Sequence, residues 1–446
     1  MNTGLSLSAQ AREELENDAV NLTRELIRID TSNWGASAET VGEAEAADFC
    51  ANALREVGYE PEIVITTSDR RRGVVVRIPG SDTEAPAIVV HGHLDVVPAM
   101  AKDWTHPPFA AEIDDGFIWG RGAVDMKNMD AMILAVVRHW AREGLKPRRD
   151  TIIVFFPDEE AGMQHGSQWF VRNRPDIFSG ATEAIGEVGG FSLTVRDDLR
   201  VYPIQTAEKG IRWLALKAAG RAGHGSMLHE DNAVTDLARA VTRIGEHKWP
   251  TRRTKTVDYF LETLSDVYGV EIDANDTEDL VSKLGTLGLL VGATLQNTAN
   301  PTMLEAGYKV NVIPTEALAH IDGRVLPGFE DEFDSTLRQL VGEKINIESV
   351  STDIALEADF DTLTVDLMAS VLRQEDPGAV TVPYMISGGT DAKALSTLGM
   401  SCYGFSPLQM PPDLDYWRLF HGVDERVPVD GLKFGVRTLN RFMLQV

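Results

Sequence analysis

The chain has 446 residues, of which 43% are hydrophobic and 25% charged; this excludes a disordered, fibrous or collagen-like protein and exceeds what one hydrophobic core holds. Lys and Arg number 42 against 68 Asp and Glu, a net charge of −26, so neither nucleic acid nor an anionic membrane is an expected partner. The two cysteines, Cys50 and Cys402, stand in no paired motif, which excludes a disulfide framework and a cysteine-based zinc site.

In chain order, Leu15, Ala19, Leu22, Leu26 and Ile29 recur three and four apart, the stripe of a first helix with Ser8 as its N-cap. A second helix is predicted over 40–57, with Gly58 placed to end it. Short β-rich runs follow at 62–67, 74–78 and 87–90. Then come a helix over 127–142, a strand over 151–156, a helix over 167–173 and a strand over 184–186. Strands alternating with helices indicate an α/β fold, a sheet flanked by helices. Helices over 362–374, 392–398 and 429–443 return to that layer. The longest apolar run, from Ala131 to Val137, has seven residues, against roughly 18 for a membrane span. The N-terminus lacks a basic stretch followed by an apolar core, so a cytoplasmic protein is expected.

The middle of the chain reads differently. Strands are predicted over 211–219, 288–296, 308–312, 317–325 and 344–350, with helices over 232–246 and 332–340, a βαββαβ-like unit. An α+β domain at 206–350 is therefore expected to interrupt a catalytic domain made of 1–205 and 351–446.

Ligands of open α/β sheets bind at the carboxyl ends of strands. Five such places here carry acids or histidines: His91-Gly92-His93-Leu94-Asp95; the segment leading to Asp125; Asp158-Glu159-Glu160; Glu187; and His421 with Val423-Asp424-Glu425. Carboxylates gathered at one sheet edge raise each other's pKa unless a cation sits among them. Mixed carboxylate and imidazole donors suit zinc, with manganese or cobalt as substitutes.

His93-x-Asp95-Val96-Val97-Pro98, Gly120-Arg121-Gly122-Ala123-Val124-Asp125-Met126-Lys127 and Asp158-Glu159-Glu160-Ala161-Gly162 together resemble the M20 metallopeptidase family of carboxypeptidases, dipeptidases, aminoacylases and desuccinylases. The resemblance continues through Gly186-Glu187, Gly223-His224-Gly225-Ser226, Asn311-Val312-Ile313-Pro314, Gly388-Gly389-Thr390-Asp391 and His421-Gly422, nearly the whole chain.

The resemblance implies a zinc-peptidase-like catalytic domain with an inserted ferredoxin-like domain serving as lid and dimerisation unit. It implies two divalent metal ions, bridged by Asp125 and completed by His93 and Glu187 on one side and by Glu160 and His421 on the other. Asp95 is expected behind His93, fixing its tautomer. Glu159 is expected to be the general base, and a cis peptide is expected after Asp125. From the inserted domain, His224 is expected to stabilise the oxyanion and Arg324 to hold a substrate carboxylate; Asn311 and the Gly388-Gly389 turn are expected to help bind substrate. The implied activity is hydrolysis of an amide bond next to a free carboxylate, in a dipeptide, a short peptide's C-terminal residue or an N-acyl amino acid. The implied assembly is a homodimer whose inserted domain lends His224 to the partner's site, with a monomer whose insert supplies His224 to its own site as the alternative. A narrow N-succinyl or N-acetyl deacylase and an inactive binding homologue are the alternatives; the latter is expected to lose the base or a ligand, and here every position is filled. Two departures stand out: Leu228 where Pro is expected, and Glu187 where some members carry Asp.

Overall fold

A computed structural model describes residues 7–196, 198–269 and 291–446. They form two compact units: Met1–Gln205, Ala358–Val382 and Thr390–Val446 make the first, Thr206–Glu357 and Pro383–Gly389 the second. The later crossing falls after Glu357 rather than at 350, because the strand Ile345–Asp353 runs on past it. Gly388 and Gly389, expected in the catalytic domain, fall in the second unit with the segment Pro383–Gly389.

The first unit is built on a mixed sheet. Its strands Glu62–Ile65, Arg72–Ile78, Thr151–Phe156, Ala87–His93, Ala181–Gly186 and Ser401–Gly404 lie side by side in that order. The pairs among the last four are parallel, and those at the Glu62–Ile65 edge are antiparallel. Thr151–Phe156 and Ala87–His93 are buried at every residue, so Ile152 to Phe156 and Ala87 to Val90 read as apolar runs rather than as alternation. Because these central strands are parallel, His93, the turn after Phe156 and the turn after Gly186 emerge at one sheet edge.

Helices cover both faces. Lys127–Glu143 is buried from Lys127 to Trp140 and packs with Ala9–Arg28 and Val429–Gln445. It ends at Gly144, whose φ of 64° costs a glycine little. A Cβ on Gly92 would lie 2.0 Å from the Asp130 carboxylate of this helix, so only glycine allows that approach. Side chains alternate along a strand, so His91 and His93 point the other way. His91 packs on Phe156, which meets Phe170 of the helix Ser167–Asn173. The first helix is Ala9–Arg28, with the Ser8 hydroxyl accepting from the Ala11 N–H at 3.1 Å. Its buried Leu15, Leu22 and Leu26 contribute about 1.5–3 kcal/mol each.

The second unit carries an antiparallel sheet in the order Thr298–Ala306, Glu316–Val325, Gly210–Ala219, Ile345–Asp353. With helices Ala233–Glu246 and Glu330–Val341 this is a ferredoxin-like arrangement. Leu214, Leu216, Leu237, Ile321, Phe333 and Leu337 form its core. Two expected strands move. Residues 291–296 are a helix end and turn, while 288–290 lie outside the described residues; 308–311 form a loop and Val312–Ile313 a two-residue strand. The strand between them is Thr298–Ala306, exposed from Asn300 onward and holding Pro301. It is a sheet edge, where proline is tolerated and no apolar alternation is imposed. No helix among the described residues is long and apolar enough to cross a membrane.

Candidate metal centre

The edge of the first unit's sheet brings together His93, Asp95, Asp125, Glu159, Glu160, Glu187 and His421. The two oxygens of Asp125 face different imidazoles: Oδ1 lies 3.1 Å from His93 Nε2, and Oδ2 lies 3.2 Å from His421 Nε2. Glu187 Oε2 lies 3.7 Å from His93 Nε2, and Glu160 Oε2 lies 3.0 Å from His421 Nε2. Donor atoms of His93, Asp125 and Glu160 fall within 4.8 Å of one another, and so do those of His93, Glu159 and Glu187.

This donor set fits divalent cations. Five carboxylates meet two imidazoles, and Glu160 Oε1 is buried without a hydrogen-bond partner among the described residues. The electrostatics point the same way. Burial, together with Asp125, pushes the Glu160 and Glu187 carboxyls up to about 7. Burial and Glu187 hold Glu159 well above the ordinary carboxylate range. Burial works to lower His93, but Glu187 and Asp125 outweigh it and raise it. Hydrogen bonds to Asp125 and Glu160 raise His421 to about 10.

Local backbone supports these positions. The Asp125–Met126 peptide is cis. Asp158, Val188 and His421 have φ of 66°, 60° and 57°, left-handed values that cost a residue with a Cβ about 1–3 kcal/mol. Each is a ligand candidate or stands within two residues of one, and Val188 is β-branched, the least tolerant type.

Asp95 stands directly behind His93. The His93 Nδ1–H donates to the main-chain carbonyl of Asp95 at 2.9 Å, while the Asp95 carboxylate stands 3.6 Å away. That carboxylate instead accepts the N–H groups of Glu159 and Glu160, at 3.0 and 3.1 Å, and the Asn33 amide at 2.7 Å. Burial works to raise Asp95, but His93 and these donors hold it below its ordinary range. Behind it, Arg71 reaches Asp158 at 3.0 Å, Asn33 at 3.1 Å and Glu43. The sequence carried no signal for Asn33 or Arg71, since neither lies in the motifs that mark the other residues. His91 is buried with neither ring nitrogen hydrogen-bonded among the described residues, and burial lowers it to about 3, as befits packing.

The remaining candidates belong to the second unit. His224 is exposed, and its Nδ1 lies 2.8 Å from Ser226 Oγ. The Asn311 carbonyl accepts the Gly225 N–H at 3.0 Å. Arg324 pairs with Asp322 through Nε at 2.7 Å and Nη2 at 3.2 Å, leaving Nη1 toward the Ser387 carbonyl at 3.4 Å. Ser387 leads into Gly388 and Gly389.

Fold and site together define a metal-binding hydrolase. Residues 89–445 match peptidase family M20/M25/M40, and the chain belongs to that family. It is 29% identical to the probable carboxypeptidase S-like 2 of Dictyostelium discoideum, over 79% of this chain and 70% of that one. It is 28% identical to aminoacylase-1 of Sus scrofa, over 94% and 93%. In fold it resembles the M20 family metallo-carboxypeptidase Sso-CP2 of Sulfolobus solfataricus, with a TM-score of 0.72 at 16% identity, covering 96% of this chain and 98% of that one.

Proposed function

We propose that the chain is a two-metal amidohydrolase that cleaves an amide bond beside a free carboxylate in a small substrate. The observation that carries this reading is Asp125, which turns one oxygen to His93 and the other to His421. In this reading His93 and Glu187 complete one ion's ligands, and Glu160 and His421 the other's. Divalent ions bound there, zinc for preference, supply Lewis acidity toward the scissile carbonyl and make water a stronger acid.

The chain's own residues do the rest. Glu159 removes a proton from the attacking water and delivers it to the leaving amine, so amide and water become carboxylate and amine. Its N–H, bound to Asp95, sets where its carboxylate hangs. His224 donates to the oxyanion. Arg324 receives the substrate carboxylate, with Asp322 fixing two of its nitrogens, while Asn311, Gly388 and Gly389 help bind substrate. The match to aminoacylase-1 over 94% of the chain favours N-acyl amino acids among the candidate substrates, ahead of dipeptides. Cys50 and Cys402 are buried and free, which suits a cytoplasmic enzyme.

Dialysis against a chelator tests the reading. Hydrolysis of a panel of N-acyl amino acids and dipeptides should be lost, and returned by zinc, cobalt or manganese. Full turnover by metal-free protein would overturn the assignment.

A further inference from the structure

Glu425, four residues beyond His421, is fully buried and touches no candidate ligand side chain within hydrogen-bond range. Its Oε1 accepts the N–H groups of Val124 at 2.7 Å and Asp125 at 3.1 Å. Its Oε2 accepts the N–H of Gly122 at 3.1 Å and Arg121 Nη1 at 2.7 Å. Its carbonyl accepts the Gly120 N–H at 2.9 Å. Both carboxylate oxygens are thus used twice, as a buried charge requires. Three N–H groups of one short loop turned onto one acid form an anion nest. Gly122, at φ 86°, opens it; a Cβ there would come within 2.9 Å of Val96 and Lys127.

The two segments so joined are the ones that end in Asp125 and begin at His421. Arg426–Pro428 pairs with Phe117–Trp119, which extends the same junction. Arg121 closes it from the far side: its Nη2 reaches the His421 carbonyl at 3.5 Å, and its guanidinium lies 5.0 Å from the Trp104 ring. His421 needs such an anchor. Its side chain is 57% exposed, against 11% for Asp125 and 4% for Glu160, and its backbone is left-handed. His93, by contrast, is held by its own buried strand and by the Asp95 carbonyl.

We propose that Glu425 is a positioning residue for one half of the metal centre, locking the Asp125 and His421 loops together so that the ion shared by Asp125, Glu160 and His421 finds its ligands assembled. The inference rests on the two-metal reading. Glu425 acts through backbone and touches neither ion nor substrate. Its loss disorders the His421 side of the centre and leaves the His93–Glu187 side in place.

The test is Glu425→Gln, which keeps the shape but turns an NH2 toward Arg121 and Gly122, donor against donor. Metal content is measured across buffered free zinc, with circular dichroism and amide hydrogen exchange on the metal-free protein. The expected result is one ion retained at wild-type affinity, the other weakened about 10- to 100-fold, with an unchanged dichroism spectrum and faster exchange at Gly122, Val124 and Asp125. Arg121→Gln, which removes the charge but leaves the three backbone bonds, should weaken the same ion less; it carries the test if Glu425→Gln does not fold. Two ions held as tightly as in wild type, or both lost in parallel, would overturn the proposal. A wild-type chain that takes up fewer than two ions would instead sink the two-metal reading. The amide exchange then still decides whether Glu425 holds the loop.

Discussion

Glu159 and Glu160 hang from adjacent N–H groups on one Asp95 carboxylate, yet their side chains face different neighbours. Glu160 meets His421 at 3.0 Å, whereas Glu159 groups with His93 and Glu187. If Glu159 is the base, Glu159→Gln keeps both metals and slows kcat by about 10²- to 10⁴-fold, while Glu160→Gln loses metal. Equal metal loss in the two variants, by elemental analysis, would contradict this division. Arg324 offers a second test. Its Nε and Nη2 are taken by Asp322, so a substrate carboxylate must share the fork that Asp322 orients. Arg324→Lys keeps the charge without the fork, and KM should rise by about tenfold or more with metal content unchanged. Blocking the substrate carboxylate as an amide should hurt wild type much more than this variant; equal losses would remove Arg324 from that role. Residues such as His93, Asp125 and Glu187 were legible because each follows a strand at a motif position. Asn33, Arg71 and the anchoring use of Glu425 were not, because hydrogen bonds spanning 62 or 301 residues leave no local pattern.

At the scale of elements, Asp376 ends the helix Leu363–Glu375 and clasps the strand Leu199–Glu208. Its carboxylate accepts a two-nitrogen contact from Arg200, the Tyr202 hydroxyl at 2.8 Å and the Gly378 N–H at 3.1 Å. Burial works to raise Asp376, but Arg200 and Tyr202 outweigh it and hold it below the ordinary range. A carboxyl depressed in the folded state adds stability above its unfolded pKa, and loses it as pH falls through the folded one. Asp376→Asn should therefore cost about 2 kcal/mol at neutral pH. The gap in melting temperature should hold down to about pH 5 and narrow below about 3.9. A gap that is the same at pH 3 and pH 7 would deny the carboxylate this role. The helix of this clasp was expected, over 362–374, but the strand was not: Leu199–Glu208 carries Arg200, Gln205 and Glu208 among its apolar residues, which blurs the pattern. The helices and central strands were legible because burial on one face or both imposes a period on the sequence. The edge strand Thr298–Ala306 buries almost nothing, so no period was imposed on it.

For the whole molecule, the division of the site residues between two units raises the question of which chain's metals His224 serves. All the candidate ligands and Glu159 belong to the first unit, whereas His224, Asn311 and Arg324 belong to the second. His224 is exposed, and among the described residues its hydrogen bonds are local, through Nδ1 to Ser226, which leaves Nε2 for other use. Two-fold dimers are the commonest oligomer, and in them a residue can be exchanged between copies symmetrically. We expect a homodimer in which His224 serves the partner's metals. Glu159→Ala and His224→Ala, each nearly inactive alone, should then complement when their subunits are mixed. In a mixed dimer one site receives both defects and the other neither. Random pairing makes about half of the dimers mixed and about half of their sites intact, so roughly a quarter of wild-type activity should return. If activity stays at the level of the single variants once subunit exchange has been verified, His224 serves its own chain or has no part in the reaction. If the protein sediments as a monomer while retaining full activity, exchange is ruled out directly.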